Sequence, residues 1–245
     1  MSGSRSGRML FCLTLTGLFA ALSFVALFFK IPIAGQFVHV GNAVTLLAAL
    51  LLGGVYGGLS GSIGMGLFDL IYYPSSLPTT LMLKFGIGLF TGLIFRYGRR
   101  HPERSAHTGL AVACALFLLG GALSLWGYLA RPDAAAALLA SVFMLVVGTA
   151  LAVVLCVSWR TKKLSRTVLW AILGCTVGIA WNVSGEFLWK VVSNLLLGME
   201  FSAAVTQTLL AIPATFINGS FSIFVAVLLY VPLQAALRKA HLDIQ

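Results

Sequence analysis

Apolar residues run through this chain in blocks near the length of a membrane span, separated by short polar or basic stretches. The blocks fall at residues 9–29, 43–52, 55–72, 79–95, 108–130, 134–157, 168–197 and 203–236. A helix needs roughly 17–25 residues to cross a bilayer, so the block at 43–52 is too short to cross alone. It meets the next at Gly53-Gly54, and the two read as a short span followed by a full one. Residues 30–41, with Pro32, Gly35, Gln36 and His39, form a loop apolar enough to fold back onto the helices. Pro74 and Pro78 mark a turn before the block at 79–95, and Arg131-Pro132-Asp133 another after residue 130. The pattern predicts an all-α, polytopic transmembrane helical bundle with about eight membrane segments.

Composition agrees. Of 245 residues, 60% are hydrophobic and 9% charged, with a mean hydropathy of +1.01; a soluble domain carries about a quarter charged residues. The chain therefore reads as a single integral membrane domain over 1–245. The net charge of +10 does not point to nucleic acid, because the basic residues sit in clusters between spans. Twelve of the 16 lysines and arginines belong to Arg5 and Arg8, Arg96 to Arg104, Arg160 to Arg166, and Arg238 and Lys239. An even number of crossings with both termini in the cytoplasm puts all twelve inside, as positive-inside topology requires. Lys30 and Arg131 are left to the external loops. The run at 9–29 exceeds the apolar region of a signal peptide and reads as a retained first span. Cys12, Cys114, Cys156 and Cys175 fall singly inside spans, the pattern of buried small hydrophobes rather than of metal ligands or disulfides.

Within the spans, small and polar residues are patterned. Gly53, Gly57 and Gly61 form one ladder, and Gly54, Gly58, Ser62 and Gly66 another, each lining one helix face for close packing. Gly17, Ala21 and Val25 make a similar stripe on the first span. Charges at membrane depth are costly and mark functional sites by default. Asp69 and Lys84 flank one external turn, and either pair across it or leave Lys84 to face a ligand. Glu186 and Lys190 stand four apart in the favourable order, with Asn182 one turn below and Trp181 and Trp189 flanking. That strip suits a flat polar ligand; tryptophans also gather at membrane interfaces without one. In the last span Pro213 removes an amide donor, so a helix break is expected there, with Gln207 and Asn218 as polar groups beside it. His39 and Asn42 end the first external loop, in position to cap a site. Enzyme signatures are missing: no G-x-S-x-G, no HExxH, and no nucleophile beside a base. No cofactor or metal is implied, and without an ATP-binding motif any pumping needs a separate motor.

The run Val40-Gly41-Asn42-Ala43 through Leu50-Leu51-Leu52-Gly53-Gly54-Val55-Tyr56-Gly57, then Gly64 to Asp69, then Lys84-x-Gly86-x-Gly88-x-x-x-Gly92, resembles the substrate-specific S components of energy-coupling factor (ECF) vitamin transporters, in particular the riboflavin-type family in the broad sense. Phe187 to Gly198 and Ala211-Ile212-Pro213-Ala214-x-x-Ile217-Asn218 are similar to that family's last two helices. The resemblance implies a six-helix core, here 9–97 and 167–238, with 108–158 as an inserted hairpin. It also implies capture of a vitamin or vitamin precursor at the outer face, and partnership with a transmembrane T subunit carrying two ATPases. The family's first-helix contact with the T subunit falls on Gly17, Ala21 and Val25, the last in place of an alanine. Asn42 stands where an aspartate is common.

The expected substrate site is His39, Asn42, Lys84, Trp181, Asn182, Glu186, Trp189 and Asn218, with the indoles stacking and His39 and Asn42 near the lid. The rival expectation is a stand-alone, proton-coupled secondary transporter of a small polar metabolite, with Glu186 or Asp69 as its coupling carboxylate.

Overall fold

The computed structural model describes residues 5–33, 36–130, 135–162 and 164–240. Among them are eight helices: α1 (Arg5–Ala26), α2 (Gly41–Leu52), α3 (Gly54–Tyr72), α4 (Leu77–Arg100), α5 (Ala106–Ala130), α6 (Ala135–Thr161), α7 (Arg166–Leu196) and α8 (Phe201–Lys239). Six of them, all but α2 and α3, are long and apolar enough to cross a membrane. The Arg131-Pro132-Asp133 turn, Gly35 and Lys163 lie outside the described residues.

The loop after α1 departs from the sequence expectation by forming a β-hairpin. Strands β1 (Ile31–Ile33) and β2 (Gln36–Val38) pair antiparallel, with Ile31 opposite Val38. The first helix also ends before residue 29. Leu27 and Phe28 donate to the carbonyls of Phe24 and Val25 at 3.2 and 3.1 Å, tightening the last turn. Pro32 then biases the residue before it to extended backbone, and β2 lies against α8.

The short α2 is the hub. Eleven of its 12 residues are buried, and α1, α3, α4, α7 and α8 all touch it. A 12-residue helix cannot span a bilayer, but here it is enclosed by helices that can. The core around it joins Leu46, Leu50, Ile87, Phe95, Ala171, Cys175 and Tyr230, all buried. The α5–α6 pair stands outside this group and packs chiefly on itself, with α6 also on α8 and α5 on α7.

The glycine ladders explain how α3 lies so close to three neighbours. Gly57 and Gly61 face α2, where an added Cβ would lie 2.4 Å from Ala49 and 2.3 Å from Thr45. Gly54 and Gly58 face α4, at 2.7 and 2.6 Å from the carbonyls of Leu89 and Phe85. Ser62, on the same face, donates to the Leu81 carbonyl at 2.8 Å. Gly64 faces α1, 2.2 Å from the Ala20 carbonyl. Gly53, at φ +98°, makes the sharp corner between α2 and α3, a conformation that favours glycine.

Three other expectations are corrected. The last helix runs unbroken from Phe201 to Lys239 through Pro213, because packing on α2 and α7 holds the helix around one missing amide bond. Gln207 is exposed rather than turned inward. Cys156 is exposed, unlike Cys12, Cys114 and Cys175, because its helix buries little of its surface in the bundle.

At the basic end, Ser165 caps α7 by accepting from the Val168 amide at 3.3 Å. Arg166 donates to the carbonyls of Gly98, His101 and Arg104 at the end of α4. The bond to Gly98 satisfies an otherwise orphan carbonyl in the last turn of α4, and the other two fix the segment that follows it. Arg166→Gln is expected to cost about 1–2 kcal/mol, since hydrogen bonds to charged groups contribute more than neutral ones but partly exposed ones less. A thermal melt in detergent checks it.

Candidate functional site

A half-open cavity of about 300 Å³ lies at the end of the bundle that carries the β-hairpin, opposite the arginine clusters. Its floor and sides come from five places in the sequence: the turn after α1, the residue after β2, the end of α3 with the start of α4, the last turns of α7, and the middle of α8. Connections at that end are short, so their polar residues converge.

Glu186 is the centre of the polar side. Its Oε1 accepts from the Asn182 amide at 2.7 Å and lies 3.7 Å from Lys84 Nζ. Its Oε2 accepts from the Thr215 hydroxyl at 3.0 Å and lies 3.7 Å from Lys190 Nζ. Lys84 in turn donates to Asn182 Oδ1 at 2.8 Å. The carboxylate thus ties α4, α7 and α8 together. Helix periodicity accounts for the α7 contribution: Asn182, Glu186, Trp189 and Lys190 are spaced four, seven and eight apart on one face.

Opposite stands an aromatic wall. Phe24, Phe28, Phe68 and Tyr72 pack edge-on between α3 and the end of α1 with the turn after it, and Phe68 and Tyr73 line the cavity. Lys30 donates to the Tyr73 hydroxyl at 2.8 Å and sits 5.1 Å over the Phe68 ring. Asp69 accepts from the Thr80 hydroxyl at 2.5 Å. Of the two alternatives for Asp69 and Lys84, the pair across the turn does not form: Asp69 is held by Thr80, and Lys84, at the cavity, by Asn182 and Glu186.

The β-hairpin brings in His39. Its backbone amide donates to Asn218 Oδ1 at 3.2 Å, fastening the loop to α8. Its Nδ1 accepts from the Gly41 amide at 3.1 Å. Burial, with the Lys84 ammonium nearby, pushes the His39 pKa down to about 3, against a smaller opposing effect of Glu186. The ring is therefore neutral at physiological pH, with its proton on Nε2 as a donor.

Of the eight residues expected at the site, His39, Lys84, Glu186, Trp189 and Asn218 line the cavity. Asn182 sits behind it, 1% exposed, holding Lys84 and Glu186. Two lie off it. Trp181 is one residue, hence about 100°, away from the polar face; it packs on Phe90 with ring centroids 4.9 Å apart and fills the space over Gly86. Asn42 is 2% exposed in the first turn of α2, and its Oδ1 has no hydrogen-bond partner. Sequence reasoning misses Lys30, Phe68, Tyr73, Thr80 and Thr215 as lining residues. The run Phe68 to Tyr73 and the Thr79-Thr80 pair, on either side of the two prolines, are the available signal for most of them; Thr215 has none. Gly17, Ala21 and Val25 are exposed on the outer face of α1, away from the cavity.

A family model described as "ECF-type riboflavin transporter, S component" matches residues 11–157, from α1 to near the end of α6. A curated protein from Pyrococcus woesei, described as an uncharacterized protein in a gap 3' region, is 34% identical over 73 residues, which cover 28% of this chain and 49% of that protein. The chain thus spans about half the length of the curated relative it matches. No solved structure matches.

Proposed function

This chain belongs to the ECF-type riboflavin transporter S-component family, and from that premise we propose that it captures a small vitamin or vitamin precursor at the outer membrane face for ATP-driven uptake. It is a multi-pass membrane protein of a transport family. The observation that carries it is the cavity's position, at the end of the bundle opposite Arg96, Arg99, Arg100 and Arg166. Positive-inside topology turns the arginine end and both termini to the cytoplasm, which opens the cavity outward.

Energy comes from outside the chain: a T subunit with two ATPases, docked on the stripe Gly17, Ala21 and Val25. An added Cβ at Gly17 meets nothing within 4 Å, so that face is free to receive a helix at close range, as small residues allow in membranes. The substrate is held by Lys84, Glu186, Asn218 and His39, with Trp189 and Phe68 against its body.

The test is uptake into vesicles containing the full transporter, beside binding to the isolated chain. Gly17→Leu and Ala21→Leu should abolish uptake while leaving substrate binding intact. Uptake that survives both changes, or that follows the proton gradient without the ATPases, would favour the secondary-transporter alternative.

A further inference from the structure

Three ammonium groups line the cavity, those of Lys30, Lys84 and Lys190, against two carboxylates, Asp69 and Glu186. His39 adds no charge. The walls therefore hold an excess of one positive charge.

Both carboxylates are also engaged by the protein itself. Each oxygen of Glu186 serves one hydrogen-bond donor and one ammonium, and Asp69 Oδ2 serves Thr80. Lys84 differs. It is 8% exposed, makes a full hydrogen bond to Asn182 at 2.8 Å, and stands 3.7 Å from Glu186, too far for a second. An ammonium carries three donors, so Lys84 reaches the cavity with donor capacity to spare. A cation at membrane depth without a full counter-charge is costly, and a neutral solute would leave it so.

We propose that the captured molecule is a small organic monoanion, whose carboxylate meets Lys84 and whose apolar or flat body lies along Phe68 and Trp189. The cavity, at the low end of ligand-pocket volumes, sets the size class. Neighbouring donors, the Asn218 amide and His39, then orient the polar edge of that body. This inference rests on the capture reading.

The experiment compares matched acid and amide probes, benzoate with benzamide and nicotinate with nicotinamide, plus riboflavin as a neutral reference. Binding is measured by calorimetry and thermal shift on the full chain in phosphatidylcholine nanodiscs. The acids should bind about tenfold or more tightly than their amides, the scale expected for a buried charge contact. That preference should shrink at high salt and vanish in Lys84→Met. If Lys84→Met fails to fold, Lys190→Gln, at the more exposed rim, should reduce the same preference. Acids no better than amides, including no response to either, overturn the inference, as does riboflavin binding above every acid.

Mass spectrometry of molecules retained through gentle purification separates the two levels. A retained neutral vitamin defeats the charge inference and leaves the capture reading standing. A retained acid supports both. An acid preference in a chain that supports no ATP-dependent uptake defeats the capture reading alone.

Discussion

Gly88→Leu is expected to leave little folded protein in mild detergent. A Cβ at Gly88 would lie 2.1 Å from the backbone nitrogen of Gly58 and 2.4 Å from its Cα. One turn on, a Cβ at Gly92 would lie 2.2 Å from the backbone nitrogen of Gly54. The obstructing atoms are main chain, which cannot swing aside as a side chain can. The two helices would have to separate along their whole contact, taking Ser62 off the Leu81 carbonyl and opening the site end of α4. Overpacking a well-packed core costs about 1–3 kcal/mol and occasionally more; backbone against backbone places this case at about 3 kcal/mol or above. Gly17→Leu is the control, since its side chain enters open space. A Gly88→Leu protein that melts with the parent would show that α3 and α4 do not meet through their glycines.

That packing is legible in the amino-acid pattern. Two ladders four apart on α3 can only be two adjacent faces of one helix, and they meet α2 and α4 as such. The charges are legible as well, because a polar residue inside an apolar block has few reasons to be there. Partnering is not. Asp69 and Lys84 are close in sequence across a turn, yet Lys84 finds Asn182, 98 residues away, at 2.8 Å. Thr215 is an ordinary residue in an apolar span until α8 sets its hydroxyl on Glu186. Trp181 and Trp189 look alike in sequence, and only the phase of the helix sends Trp189 to the cavity and Trp181 to Phe90. The β-hairpin is hidden because six paired residues are too few to show an alternation, and a glycine three residues after a proline fits a plain loop equally well. Pro213 misleads in the opposite way: local chemistry predicts a break, and tertiary packing carries the helix through.

Glu186→Gln should be the most damaging single change among the polar residues. Each carboxylate oxygen now accepts from one neutral donor and faces one ammonium. A carboxamide has a single acceptor oxygen, so its NH2 must confront either Asn182 and Lys84 or Thr215 and Lys190. The change also leaves two lysines at one site with no carboxylate between them. Removing one partner of a buried ion pair costs about 3–5 kcal/mol; with Glu186 at 21% and Lys190 at 27% exposure, the lower end, about 3 kcal/mol, is expected. The loss should appear as a lowered melting temperature in the empty protein. The double variant Glu186→Gln with Lys190→Gln should recover part of it, because one of the stranded charges is gone. Lys190→Gln alone should cost less than Glu186→Gln, since Lys84, Asn182 and Thr215 still hold the carboxylate. A double-mutant cycle with no coupling would mean that Glu186 and Lys190 only share a face of α7, and that the lysines are held in place by something other than this carboxylate.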